Sequence, residues 1–154
     1  GWMGFQGDDF SRIFVCVFSR IADVVTDRVP VTEKELQRLF LSVNWESGNY
    51  PDKLVRAMQH STHVISAWDG NKLVGLIRAL ADGETVAFLH YLLVDPLYQG
   101  NHIGDELMKR ILSYFENLLY IKIMPSDPKT VPFYEKYGFQ QYDNYSAMVL
   151  KQFS

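Results

Sequence analysis

Three apolar stretches, each the length of a β-strand, follow one another in the middle of the chain. They cover residues 64–68, 73–80 and 86–94, and polar glycine-containing segments separate them at residues 69–71 and 82–83. Strands joined by such tight turns pair as antiparallel hairpins. The sequence therefore predicts three consecutive antiparallel strands, around which the rest of the fold has to be built.

Two helices are predicted before these strands. Thr32 followed by Glu35 is the pattern of a capping box, and apolar residues then recur at helical spacing, which predicts a helix over residues 32–43. A second helix is predicted over residues 51–60, because a proline stands at its first position and apolar residues line one face.

The second half of the chain alternates between strand and helix. The pattern predicts a helix over residues 103–115, a strand over 119–124, a short helix over 130–137 and a last strand over 145–150. A strand-helix-strand unit implies a right-handed crossover and a parallel pair. We therefore predict an α+β fold, with a central mixed, mostly antiparallel sheet of about six to seven strands and helices on both faces.

The length of 154 residues, with 47% apolar content, is enough for one hydrophobic core. No repeat or linker-like segment divides the chain, so we expect a single domain over residues 1–154, with residues 1–20 as an N-terminal extension of uncertain structure. The net charge of −3 provides no broad cationic surface. Neither nucleic acid nor a membrane is therefore expected as a partner.

A single cysteine, Cys16, lies in the apolar run of residues 13–18, which is far too short to cross a bilayer. Asp8 and Asp9 precede this run, where a secretory signal would carry positive charge. We expect Cys16 to be buried and the protein to be cytoplasmic.

The segment from Val94 to Gly104 joins the third central strand to the next helix. Its glycines allow consecutive backbone N–H groups to face one point, and a helix N-terminus adds partial positive charge. Such a loop can hold a pyrophosphate without lysines, although ordinary strand-to-helix turns also use glycine. The Gly-Lys-Ser or Gly-Lys-Thr of a P-loop is absent, and the loop does not follow a first strand as in dinucleotide-binding folds.

Two segments in this order resemble the motifs of the GNAT N-acetyltransferases. The first is similar to Gln/Arg-x-x-Gly-x-Gly/Ala, with Gln99 and Gly104 in place and His102 where the inner glycine is expected. The second, Phe-Tyr-x-x-x-Gly-Phe, is complete over residues 133–139. The resemblance covers residues 32–150 and implies the GNAT fold, with splayed fourth and fifth strands, and acetyl-CoA as co-substrate.

The resemblance also implies where the coenzyme lies. Pantetheine is expected to pair with the backbone of Leu92, Leu93 and Val94, of which the N–H of Leu93 or Val94 would hold the oxyanion. Asp127 stands where many relatives use an asparagine to hold pantetheine, and Phe133 of the second motif is a further coenzyme-binding candidate. The pyrophosphate is expected at Gln99, Gly100, Asn101, His102, Ile103, Gly104 and Asp105.

Within the family the nearest likeness is to the arylalkylamine N-acetyltransferases, at residues 131–134 and at Leu89-His90. In that group two histidines on the fourth strand relay the proton of the amine, whereas this chain has His90 and Phe88. An imidazole titrates near neutrality and can take the proton of an alkylamine. Tyr134 stands at the position of the general acid that protonates the departing thiolate. Packing in the core is the alternative role for both side chains.

We therefore predict an acyltransferase that moves acetyl from acetyl-CoA to a primary amine of a small molecule, by direct attack through a tetrahedral intermediate. A peptide or protein amine is an alternative acceptor. A non-catalytic acyl-CoA-binding regulatory module is a second alternative, suggested by the departures at His102 and Asp127. A homodimer is compatible with the sequence.

Trp45, Tyr50 and Arg78 are further candidates, in their case for the acceptor cleft, with a surface or packing role as an equal alternative. His60 and His63 have a metal-like spacing, but no carboxylate or cysteine completes a ligand set, so no metal is expected.

Overall fold

The computed structural model describes residues 13–19, 24–26 and 31–153. The chain divides into two compact units, one ending at Lys122 and the other beginning at Ile123. The described strands are β1 Ile13–Ser19, β2 Val24–Thr26, β3 His63–Asp69, β4 Lys72–Ala81, β5 Val86–Val94 and β6 Tyr120–Ile123. The described α-helices are α1 Glu33–Ser42, α2 Pro51–Gln59, α3 Ile103–Leu112 and α4 Val131–Glu135, with short 3-10 turns at Glu46–Asn49, Pro96–Tyr98 and Pro128–Thr130.

The six described strands form one sheet in the order β2-β1-β3-β4-β5-β6. The pairs from β2 to β5 are all antiparallel. At the other edge, the amides of Leu119 and Tyr120 donate to the carbonyl oxygen of Thr85, at 3.0 and 2.9 Å. These bonds place the start of β6 beside the start of β5, as in a parallel pair. The structure thus confirms the predicted mixed, mostly antiparallel α+β fold.

The central strands β3 and β4 are buried along most of their length, because helices cover both faces of the sheet. On one face Val64 and Trp68 of β3 pack in a core cluster with Phe40 of α1 and with residues of α2. On the other face α3 lies very close to β4. A Cβ added at Gly75 would stand 2.9 Å from Cγ2 of Ile103, so the absence of a side chain at this position permits the approach.

A β-bulge interrupts the pairing of β4 with β5. Arg78 lies opposite Tyr91, whereas the next residue, Ala79, lies opposite Leu89, so His90 is the extra residue of β5. Bulges bend a strand and redirect a side chain, and they are frequent next to active sites. Here the rings of His90 and Tyr91 stack with their centroids 4.1 Å apart.

The N-terminus of α1 forms half of the predicted capping box. The hydroxyl of Thr32 accepts the amide of Glu35 at 3.2 Å, as predicted. The Glu35 carboxylate accepts instead from the amide of Leu73, at 2.9 Å, and from Arg38. It therefore attaches α1 to the start of β4 rather than closing the box.

Two predictions at the ends of the chain need correction. Residues 13–19, assigned to an extension of uncertain structure, form β1 and pair along their whole length with β3, while residues 1–12 and 20 lie outside the described part. Cys16 of β1 is buried, as expected. The strand predicted over residues 145–150 is wrong: the segment has no regular structure, and its apolar side chains Met148, Val149 and Leu150 are exposed, so burial does not favour a strand here.

Candidate active site

The loop after β5 is anchored where it leaves the sheet. Asp95 is 3% exposed, and its carboxylate accepts from the amide of Leu97 and from Nη1 of Arg38, both at 2.9 Å. Its own amide donates to the carbonyl oxygen of Val74 at 2.8 Å. These contacts with α1 and β4 fix the start of the loop.

The body of the loop takes its shape from two left-handed residues, Gly100 with φ 82° and His102 with φ 63°. The side-chain amide of Gln99 donates to the carbonyl oxygen of Val94 at 3.0 Å, which ties the loop to the end of β5. The Asn101 amide donates to two carbonyl groups of the loop itself. Four of the predicted pyrophosphate-binding residues therefore shape the loop.

The N-terminus of α3 directly follows His102 and carries no side-chain cap. Within the described residues, the amides of Ile103 and Gly104 have no acceptor. In this first turn, Nδ1 of the exposed His102 ring lies 3.1 Å from Oδ2 of Asp105. Unsatisfied amides at the positive end of a helix form an anion-binding site.

The end of β5 holds the three residues expected to pair with pantetheine. Leu93 is buried in the core cluster under α1, while Leu92 and Val94 are partly buried. They lie opposite Ile77, Leu76 and Gly75 of β4. The structure therefore places this strand end next to the loop predicted to hold the pyrophosphate, connected to it through Gln99.

His90 is exposed, but one side of its ring contacts Arg78 and Tyr91. Nη1 of Arg78 lies 2.6 Å from Nδ1 of His90. Because a guanidinium has no acceptor, Nδ1 must accept this hydrogen bond, and neutral His90 carries its proton on Nε2. Desolvation and then the charge of Arg78 lower the pKa of His90, so the ring is neutral at pH 7.

Two of the three candidates for the acceptor cleft meet at Tyr91, which the sequence reasoning missed. The rings of Trp45 and Tyr91 lie 5.9 Å apart, and the guanidinium of Arg78 lies 5.2 Å from the centre of the Tyr91 ring. The hydroxyls of Tyr91 and Ser47 are hydrogen-bonded at 3.1 Å. Tyr50, the third candidate, immediately precedes α2 and is half-buried.

Tyr134, Phe133 and Asp127 belong to the second unit and are described within it. Tyr134 is 8% exposed, with the rings of Phe133 and Phe139 edge-on to it at 5.2 and 6.1 Å. Burial raises the pKa of Tyr134, so the hydroxyl keeps its proton at neutral pH. Asp127 caps the following 3-10 turn by accepting the amide of Lys129 at 2.9 Å.

The described residues contain no group of three side chains of the metal-ligating types. His63 is buried instead against aromatic rings, with Tyr114 stacked 4.2 Å away. None of the helices in the described ranges is both long and apolar enough to cross a bilayer.

The comparison with known sequences defines the class. Residues 31–139 match the profile described as the acetyltransferase (GNAT) family, which spans both predicted motifs. The chain therefore belongs to the GNAT acetyltransferase family. This confirms the resemblance drawn from the two motifs.

Individual relatives agree with this assignment. The chain is 30% identical over 83 residues to N-alpha-acetyltransferase RimI of Mycobacterium tuberculosis, covering 51% of this chain and 52% of that protein. It is 31% identical over 111 residues to the N-acetyltransferase ycf52 of Porphyra purpurea, covering 68% and 63%. The matches thus span between half and two thirds of the length of these relatives.

Among solved structures, a GNAT-family acetyltransferase from Streptococcus pneumoniae superimposes with a TM-score of 0.71. The two chains are 27% identical over 91% of this chain and 98% of that one.

Proposed function

We propose that this protein transfers acetyl from acetyl-CoA to the primary amine of a small molecule. The observation that carries the proposal is the uncapped start of α3, where the Ile103 and Gly104 amides lack acceptors at the end of a glycine-shaped loop. That arrangement suits a pyrophosphate, and it occurs at the family motif.

The coenzyme would lie along the end of β5. Its pyrophosphate would accept from the amides of residues 99–105, and its pantetheine arm would pair with the backbone of Leu92, Leu93 and Val94. Phe133 and Asp127 stay candidates for coenzyme binding. Since one oxygen of Asp127 already accepts an amide, its contribution would be smaller than that of an unengaged side chain.

In the reaction, the lone pair of the amine attacks the acetyl carbon, and a strand N–H of Leu93 or Val94 stabilises the oxyanion. The carbon–sulfur bond then breaks, and Tyr134 protonates the departing thiolate. Because burial raises the pKa of Tyr134, the hydroxyl carries at neutral pH the proton that it would donate. The tyrosinate would regain its proton from water.

His90 would accept the proton of the amine, with one constraint from the structure. Its basic nitrogen is Nδ1, which accepts from Arg78. The ring can therefore take a proton only when this hydrogen bond breaks. If water carries the proton from the amine to His90, the ring must likewise be neutral to accept it. The rate should therefore increase as the pH rises above the lowered pKa of His90.

A peptide or protein N-terminal amine is the second candidate acceptor. It is favoured by the likeness to the N-alpha-acetyltransferase RimI of Mycobacterium tuberculosis. A non-catalytic acyl-CoA-binding module would bind the same coenzyme without turnover. The cytoplasmic location and the homodimer stay predictions.

Release of free thiol from acetyl-CoA, measured with a panel of small amines and N-terminal peptides, tests the proposal. The wild type should turn over with at least one small amine, whereas Gly104→Glu should lose acetyl-CoA binding because it places a carboxylate at the start of α3. Asn117→Glu, an exposed substitution outside the loop, is the matched control and should bind normally. Binding of acetyl-CoA without release of thiol in the presence of any acceptor would refute the proposal that the protein is an enzyme.

A thermal-shift measurement separates the coenzyme subsites. Acetyl-CoA should stabilise the folded state by mass action, and pantetheine should do so much less. Equal stabilisation by both would contradict a pyrophosphate site at this loop.

A further inference from the structure

Arg78 is a buried cation whose partners are all uncharged. The residue is 8% exposed, in the middle of β4. Its Nε donates to the Ser61 hydroxyl at 2.8 Å, and its Nη1 donates to His90. Its third contact is the face of the Tyr91 ring. None of these groups carries a negative charge at neutral pH.

The other arginines of the described part behave differently. Arg38 pairs with Glu35 and Asp95, Arg56 with Asp52, and Arg110 with Glu106. Arg78 forms no ion pair with a carboxylate of the described residues. Burying a charge without a counter-ion is costly, and desolvation accordingly lowers the pKa of Arg78.

One edge of the guanidinium remains available. Of its five N–H groups, two are used by the Ser61 hydroxyl and His90, and Nη2 makes no hydrogen bond within the described residues. Nη2 is not buried either, because the only buried side-chain nitrogen or oxygen without a partner in the described part is Nδ1 of His63. Nη2 therefore keeps some exposure to solvent, and it is the edge at which a carboxylate would bind.

We propose that Arg78 binds a carboxylate of the acceptor, so that the preferred substrates are primary amines that also carry an acidic group. The inference rests on the proposed function and specifies its substrate class. A guanidinium recognises a carboxylate by charge and by directional hydrogen bonds. The bound carboxylate supplies the missing counter-ion next to His90, the residue proposed to receive the proton of the amine.

The first test compares ω-amino carboxylates of increasing chain length with their uncharged amides, using thiol release from acetyl-CoA. Each kcat/KM is corrected for the fraction of neutral amine. The wild type should favour the carboxylate of the best pair by roughly ten- to hundredfold, the usual worth of a hydrogen bond to a charged group. Equal use of carboxylate and amide at every chain length would overturn the inference while leaving acetyl transfer in place.

Variants test whether Arg78 causes the preference for carboxylates. In Arg78→Met the kcat/KM values for the carboxylate and its amide should become equal. Arg78→Lys should keep part of the preference because the charge remains. Arg56→Met removes an exposed arginine and is the matched control, so its ratio should equal that of the wild type. A ratio unchanged in Arg78→Met would contradict the assignment.

The second test does not depend on turnover. The charge of Arg78 lowers the pKa of His90. A carboxylate bound to Arg78 offsets that charge, so 4-aminobutyrate should raise the pKa of His90 measured by NMR, whereas 4-aminobutanamide should not. The response should disappear in Arg78→Met and should be smaller in Arg78→Lys, which keeps the charge. Absence of a shift in the wild type at saturating 4-aminobutyrate would refute carboxylate binding even if no acceptor is acetylated.

Discussion

Gly75→Ala should destabilise the fold and disturb the coenzyme loop, because α3 rests directly on this glycine. The new Cβ would stand 2.9 Å from Cγ2 of Ile103, the first residue of α3. Overpacking of this kind costs about 1–3 kcal/mol, and the lower backbone entropy of alanine in the unfolded chain returns about 0.5–1 kcal/mol. We expect a net loss of about 1 kcal/mol, within a range of about 0–2.5 kcal/mol, in the free energy of unfolding, together with weaker acetyl-CoA binding.

A double-mutant cycle measured by urea unfolding tests the cause. Ile103→Ala alone should cost about 2–5 kcal/mol by leaving a cavity. Because it also removes the clashing methyl group, the Gly75→Ala/Ile103→Ala protein should be more stable than the sum of the single effects by at least about 1 kcal/mol. Gly83→Ala is the control, since its Cβ meets nothing within 4 Å and only its φ of 83° is strained. Additivity of Gly75→Ala and Ile103→Ala within about 0.5 kcal/mol would refute the packing argument.

Three further changes test other parts of the structure. Tyr134→Phe should lower kcat by roughly a hundredfold to ten-thousandfold with little change in acetyl-CoA affinity, and steady-state rates within about threefold of wild type would exclude it as the general acid. Burial lowers the pKa of His63, so the folded state binds fewer protons than the unfolded state below about pH 6.5, and stability should fall as the pH decreases from there. His63→Phe should reduce that pH dependence in urea titrations, and an unchanged slope would place its origin elsewhere. His102→Gly should stabilise the protein by up to about 1 kcal/mol, because it relieves the left-handed backbone and the exposed pair with Asp105 contributes little. A lower urea midpoint would mean that the pair outweighs the strain.

Elements with a local cause were predictable from the sequence. The Thr32 cap, the turn at Gly70 and the proline at the start of α2 each act within a few residues, and each lies where it was predicted. The left-handed Gly100 likewise belongs to a loop whose shape depends on its own residues. The pyrophosphate loop could therefore be proposed from the sequence alone.

Features that depend on distant partners were not predictable. Glu35 satisfies the Leu73 amide, 38 positions away, instead of closing its own capping box. The cluster of Arg78, His90 and Tyr91 requires the register of two strands, which no single segment specifies.

The bulge at His90 also affects how this strand can change in evolution. Leu89 lies opposite Ala79 and Leu93 opposite Leu76, and only Leu93 belongs to the core cluster with α1. In an uninterrupted strand, residues four positions apart would point to the same face of the sheet. Because His90 is an extra residue, Leu89 and Leu93 point to opposite faces instead. Deletion of the codon for His90 would bring the two halves of β5 back into phase with β4 without altering a core side chain. A polar residue at this position can thus be gained or lost by a single in-frame event, with both hydrophobic layers preserved.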